Sequence, residues 1–193
     1  MCNNADQDGT VVRVIETSGT VRTLSIKDAT SGKLDIQKFA IDADNNIFYT
    51  DVNLKLNQIA SNGERTSLAI QDLGYIYDVK NDNRGGIWIF SNSNAYKISY
   101  ISPGGSIKLM AGGGTGVDDG FGVGLEINFS ESMVPDNEGG LYFYDSKRGY
   151  YRYINNSGMV GTTGIKDKFF LNSAKELWRI DNYIYKQAGK LPG

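Results

Sequence analysis

Apolar and polar residues alternate along most of the chain in short runs that break at glycine, asparagine or serine. That is the period of β-strands, in which successive side chains point to opposite faces. Residues 11–26, VVRVIETSGTVRTLSI, alternate on both sides of Thr17-Ser18-Gly19 and predict two strands joined by a hairpin. IQKFAID (36–42), a turn at Asp44-Asn45-Asn46, IFYTD (47–51), residues 54–60, a turn at Ser61-Asn62-Gly63 and residues 66–70 predict four more. The same order returns from Tyr75 to Met110, again from Met133 to Thr162, and in shortened form from Phe169 to Lys186.

Four dipeptides mark the same place in each copy: Ile47-Phe48, Ile87-Trp88, Leu141-Tyr142 and Leu177-Trp178, spaced by 40, 54 and 36 residues. Four residues after the start of each stands Asp51, Ser91, Asp145 or Asp181. Four short strands repeated about every 40 residues predict an all-β fold, a β-propeller of about four blades. A helical solenoid is excluded, because no segment keeps a 3.6-residue apolar period over ten residues. Residues 1–10 are expected to form a flexible tether and 11–193 the propeller domain. Strands 11–26 read as the outer pair of a blade whose inner strands come from 169–186, which would close a small ring and remove open sheet edges. The alternative is part of a larger propeller, with self-association through the blade edges.

Absences narrow the chemistry. With 20 Lys and Arg against 22 Asp and Glu and no basic run, the chain lacks the clustered positive charge of a nucleic-acid surface. No apolar run approaches the ~18 residues of a membrane-crossing helix. There is no histidine, which excludes Ser-His-Asp hydrolysis and His-ligated zinc. Cys2 is the single cysteine, so no disulfide forms within the chain.

The stretch LMAGGGTGVDDGFGVGLEINF (109–129), followed by GGLYFYDSKRGYYRYI (139–154), resembles an NHL repeat. Leu109, Ala111, Gly112, Asp119, Gly120, Gly122 and Phe129 match its crossover, and Gly140, Leu141, Tyr142, Asp145, Arg152 and Ile154 its strand segment. Ile127 stands where the family has a small alanine, and the proline usual after Phe129 is absent. The resemblance implies a propeller that displays loops around a shallow centre. Met1-Cys2 before the polar run NNADQDG resembles the start of a bacterial lipoprotein, which implies lipidation at Cys2 and an extracytoplasmic place in the cell envelope.

Candidate chemistry concentrates in that stretch. Asp118 and Asp119 pair carboxylates beside exposed carbonyls, a set suited to calcium, although Asp119-Gly120 also reads as an ordinary turn. Tyr150, Tyr151, Arg152 and Tyr153 crowd one strand and offer flat apolar surfaces with polar tips, suited to a glycan or protein ligand or to packing between blades. Asp51, Asp145 and Asp181 are expected to accept hydrogen bonds from loop N–H groups, and the turns 42–45 and 136–139 to be hairpins rather than calcium loops. The glycine runs at 111–116 and 120–124 lack the Lys-Ser/Thr and helix of a phosphate loop. The resulting expectation is a binding module without enzymatic activity and without a required cofactor, for a protein or glycan ligand. A calcium-assisted, lactonase-like hydrolase and a purely structural repeat are the alternatives.

Overall fold

The computed structural model describes residues 12–15, 18–24, 36–42, 44–68, 70, 73–128, 130, 132–172, 174–180 and 184–186. Cys2, the tether, Phe129 and Asp181 lie outside them. Every regular element among the described residues is a strand. A hairpin of β1 (Val12–Ile15) and β2 (Val21–Leu24) comes first. The first full blade is β3 (Lys38–Ile41), β4 (Ile47–Thr50), β5 (Leu56–Ile59) and β6 (Arg65–Ser67). The second is β7 (Tyr75–Asn81), β8 (Ile87–Asn92), β9 (Tyr96–Ile101) and β10 (Ile107–Gly116). In the crossover lie β11 (Gly120–Phe121) and β12 (Val123–Leu125). The third blade is β13 (Met133–Pro135), β14 (Leu141–Asp145), β15 (Tyr150–Ile154) and β16 (Met159–Thr162), and the fourth β17 (Phe169–Leu171), β18 (Leu177–Ile180) and β19 (Ile184–Lys186). Within each blade the strands pair antiparallel in sequence order. The β-propeller reading holds.

A repeated acid explains the hairpin between the first two strands of each blade. Asp42, Asp82 and Asp136 each accept two backbone N–H groups on one carboxylate oxygen, from the residues two and four positions on, at 2.6–2.9 Å. Asn172 does the same through its amide oxygen. The side chain thus replaces water for turn donors that would otherwise be orphaned. Asp51 and Asp145 act likewise in the next loop, on Asn53, Lys55 and Arg148 N–H groups.

Both faces of the inner blades are buried. Ile87 and Ile89 pack with Ala40, Phe48 and Leu56 of the first blade, while Trp88 and Phe90 pack with Leu141, Phe143 and Ile154 of the third. Tyr142 and Tyr151 pack against Phe169 and Leu177 of the fourth.

The closed ring does not form among the described residues. β1 and β2 pair with each other alone, and the last sheet is β17–β18–β19. Val12 instead buries itself against Ile47, Tyr49 and Ile59, so the hairpin covers the free face of the first blade.

The glycine-rich crossover is itself built of strands. β10 runs on through the glycine run to Gly116, β12 pairs parallel to it, and β11 joins the outer edge of the third blade at β16. A side chain on Gly114 would collide with the Gly124 carbonyl, so the absence of a Cβ is what allows two backbones to pair this closely. The segment ties the outer edges of the second and third blades.

Candidate functional site

The first strand of each blade lies beside the first strand of the next: β3 with β7, β7 with β13, and β13 with β17. These inner strands bring corresponding residues of the four repeats around one axis, so register decides which side chains share a level. Lys38 stands opposite Thr50, and Asp78 opposite Phe90. Ser132 accepts the Tyr144 N–H at 3.0 Å, and Lys168 stands one place before Phe169, the partner of Arg179. One level is therefore Lys38, Asp78, Ser132 and Lys168. Two residues on, the level is Ala40, Lys80, Val134 and Phe170, opposite Phe48, Trp88, Tyr142 and Trp178. Lys80 replaces an apolar residue there.

The placement of Asp78 depends on a bulge. The register of β7 on β8 shifts between Ile76, opposite Ser91, and Asp78, opposite Phe90, which leaves Tyr77 as the extra residue. Ile76 and Val79 consequently both join the core facing the first blade. Asp78 and Lys80 lie on the opposite side, which faces β13, with Phe90 and Trp88. Lys80 donates from Nζ to Asp78 Oδ1 at 3.1 Å, and their side chains are 40% and 17% exposed. Lys38 and Lys168 are exposed and Ser132 is half-buried. The two levels carry three ammonium groups and one carboxylate. A partly desolvated carboxylate beside one ammonium group, that of Lys80, can accept a proton from water while the cation balances negative charge developing on a bound ester.

The residues singled out from sequence sit elsewhere. Asp119 uses both carboxylate oxygens: Oδ1 accepts from Arg152 Nη2 at 3.0 Å and the Thr162 hydroxyl at 3.1 Å, and Oδ2 from the Thr162 N–H at 2.8 Å. Burial pushes its pKa up, but hydrogen bonds from Thr162 and Arg152 outweigh that and hold it below the usual value. The Asp118 carbonyl accepts from Arg152 Nη2 at 3.4 Å. Arg148 reaches Asp145 Oδ2 at 2.6 Å and the Val117 carbonyl at 3.1 Å. Two guanidinium groups therefore clasp the crossover to the third blade, standing where a bound cation would have to be. Among the described residues no three His, Cys, Asp or Glu side chains come together to hold a metal. The fit to calcium, which takes six to eight oxygen ligands, is poor at Asp118–Asp119 and at the lysine-rich inner levels alike.

Tyr151 and Arg152 are fully buried, Tyr151 edge-on to Phe169 at 4.7 Å between centroids, so neither reaches a ligand on the surface. Tyr153 donates its hydroxyl to Asp136 at 2.6 Å and packs on Tyr142. Tyr150 is half-buried. As a ligand platform Tyr151, Arg152 and Tyr153 are corrected to interblade packing, because neighbouring blades cover both faces of their sheet. Asp78 and Lys80 escaped the sequence reading. The available signal was a lysine at a repeat position that is Ala40, Val134 and Phe170 in the other blades.

No family model and no curated protein sequence matches the chain. Solved structures share its fold. The gluconolactonase of Xanthomonas campestris is 15% identical with a TM-score of 0.60, over 97% of this chain and 69% of that one. A catalytically inactive histidine-to-alanine form of the virginiamycin B lyase of Staphylococcus aureus is 16% identical with a TM-score of 0.56, over 95% of this chain and 64% of that one. An auxiliary nutrient binding protein of Bacteroides ovatus is 15% identical with a TM-score of 0.56, over 84% of this chain and 48% of that one. The chain thus spans about half to about two thirds of the length of these propellers. These neighbours correct the expectation of a chain without enzymatic activity: two of the three are a lactonase and a lyase, so this arrangement of blades is one that supports catalysis.

Proposed function

We propose that the protein is a lactonase-like hydrolase that opens cyclic esters at the inner strands. The observation that carries this is Asp78, the one carboxylate at the two inner levels, paired with Lys80 at 3.1 Å and turned to this side by the bulge in β7. Asp78 takes a proton from water as the water oxygen bonds to the lactone carbonyl carbon, and Lys80 balances the oxyanion. The tetrahedral intermediate collapses by breaking the ring C–O bond, and the proton returns from Asp78 to the departing alkoxide. Lactone and water become a hydroxy acid, with no redox partner needed. The absence of histidine favours this over lyase chemistry, since the Staphylococcus lyase is inactive once one of its histidines is replaced by alanine.

The experiment is a pH-stat assay of acid release over a panel of sugar lactones. Wild type should turn over at least one, and Asp78→Asn should lower kcat by about a hundredfold or more, the usual weight of a general base. Absence of turnover across the panel, or an unimpaired Asp78→Asn enzyme, rejects the reading.

The repeat is best read as NHL-like, because Asp119 and Arg152, two residues that match that pattern, meet at 3.0 Å. An extracytoplasmic setting agrees with the nutrient binding neighbour from Bacteroides.

A further inference from the structure

We infer that the protein pairs head to tail with a second copy of itself, the outer face of the β1–β2 hairpin of one copy seated on the open face of the fourth blade of the other. The inference stands on residues apart from Asp78 and Lys80 and does not depend on the hydrolase reading. Three contacts within the chain set the pattern. Phe48 of the first blade packs with Ile76, Ile87 and Ile89 of the second. Trp88 of the second packs with Leu141 and Phe143 of the third, and Tyr142 of the third with Phe169 and Leu177 of the fourth. Each of these rings is the second-strand member of a register pair: Ala40–Phe48, Lys80–Trp88 and Val134–Tyr142. Phe170–Trp178 is the fourth such pair, and no fifth blade follows it among the described residues. Phe170 is 37% exposed and Trp178 half-buried, whereas Phe48, Trp88 and Tyr142 are buried. The two rings lie stacked, with centroids 6.3 Å apart and planes 14° from parallel. They form an apolar plate at the place that a following blade covers three times over in this chain.

The other end of the blade order offers the complement. Where later blades have a preceding blade, Ile47 of the first blade has the hairpin, which packs on it through Val12. Alternation turns Ile15 to the side of the hairpin away from Val12, and Val21 stands directly opposite Ile15. Ile15 is 75% exposed and Val21 58%. Branched aliphatic side chains such as these are what Phe48 and Trp88 meet within the chain. The hairpin therefore holds the place of a blade whose far side is uncovered. In a single chain the two faces stand at opposite ends of the blade order and stay exposed. Between two copies they continue the series of blade-on-blade contacts, each copy giving its hairpin and receiving the other's. A contact between unlike faces closes when the copies join at both ends, and removing both apolar pairs from water stabilises it.

Sedimentation velocity of the full chain from about 1 to about 100 µM, the range in which small interfaces associate, should show a species of at least twice the chain mass that gives way to the single chain on dilution. Ile15→Glu and Phe170→Glu each put an unpaired charge into the contact and should weaken association at least ~tenfold. Val21→Glu, on the same hairpin face as Ile15, repeats the test. These side chains are exposed in the single chain, so circular dichroism of the variants should match wild type. Val52→Glu, at an exposed position of another loop, should leave association unchanged. An equimolar mixture of Ile15→Glu and Phe170→Glu reads the geometry. The intact Phe170 of one variant meets the intact Ile15 of the other, so the two-copy species should reappear and nothing larger. A single chain at every concentration overturns the inference. So does a mixture that stays monomeric, or hairpin variants that associate like wild type.

Discussion

The Tyr153 hydroxyl donates to Asp136 Oδ2 at 2.6 Å, closing the loop between the third strand of its blade and the hairpin turn before the second. Tyr100 makes the same bond to Asp82 at 2.6 Å one blade earlier. The other oxygen of each aspartate holds the turn N–H groups, so a single carboxylate fixes both the turn and the tyrosine. Tyr153→Phe should cost about 1.5–3 kcal/mol, the weight of a hydrogen bond to a charged group. At this size that lowers the melting temperature by roughly 2–4 °C per kcal/mol. A melt within a degree of wild type, followed by circular dichroism, would rule this out.

Three tyrosines carry the alkaline limit. Burial, foremost, pushes Tyr142 up to about 12, and burial together with the bonds to Asp82 and Asp136 raises Tyr100 and Tyr153 well above the ordinary value. The folded state therefore keeps protons that the unfolded chain gives up near the ordinary pKa of about 10. Their contribution to stability should be complete below about pH 10 and fall as pH rises beyond it. Absorbance of tyrosinate near 295 nm should rise in two steps, the exposed rings first and these three only with loss of the far-ultraviolet signal.

Acid acts at the crossover clasp. Because Asp119 is held below its usual pKa, its contribution is present above about pH 4 and lost as pH falls through the depressed value. Asp119→Asn should cost about 1 kcal/mol at neutral pH, modest because the side chain is half exposed. Urea titrations of the two proteins should converge at low pH. A gap that persists at about pH 2 would mean that Asp119 acts through shape rather than charge.

Gly114→Ala should destabilise by more than about 2 kcal/mol, since the new methyl meets the Gly124 carbonyl of the paired strand and neither backbone can withdraw. Gly161→Ala, at a position with open space, is the matched control. Equal melts for the two would show that β12 does not hold its place beside β10.

Metal removal discriminates between the proposed metal-free hydrolysis at Asp78 and a calcium-dependent reaction. With guanidinium groups at the crossover and lysines at the inner levels, treatment with a chelator should leave both the melting temperature and any lactone turnover unchanged. Loss of turnover that calcium restores would place the chemistry on other residues.

Strand order and blade order were legible because they are local. The Ile47-Phe48, Ile87-Trp88, Leu141-Tyr142 and Leu177-Trp178 anchors and the turn acids act within a few residues of themselves. The site was not. Alternation ordinarily separates a buried face from a wet one, but here Tyr142 faces the fourth blade and Phe143 the second, and both are buried. Tyr151 and Arg152 were misjudged for that reason. The crossover strands were hidden by glycine, whose weak strand preference masks pairing that only glycine permits. Lys38, Asp78, Ser132 and Lys168 hold corresponding positions only through the register of each blade, which no window of sequence contains.

Strand β7 has one residue more than its partner requires, and Tyr77 is that slack. Deleting it would leave Ile76 opposite Ser91 and Asp78 opposite Phe90, a continuous ladder with every later side chain on the side it now occupies. Straightening the strand with Tyr77 retained would turn Asp78 and Lys80 into the apolar contact with the first blade. The inner charge pair is thus robust to shortening and intolerant of regular pairing at full length, a constraint on length that no single substitution would expose.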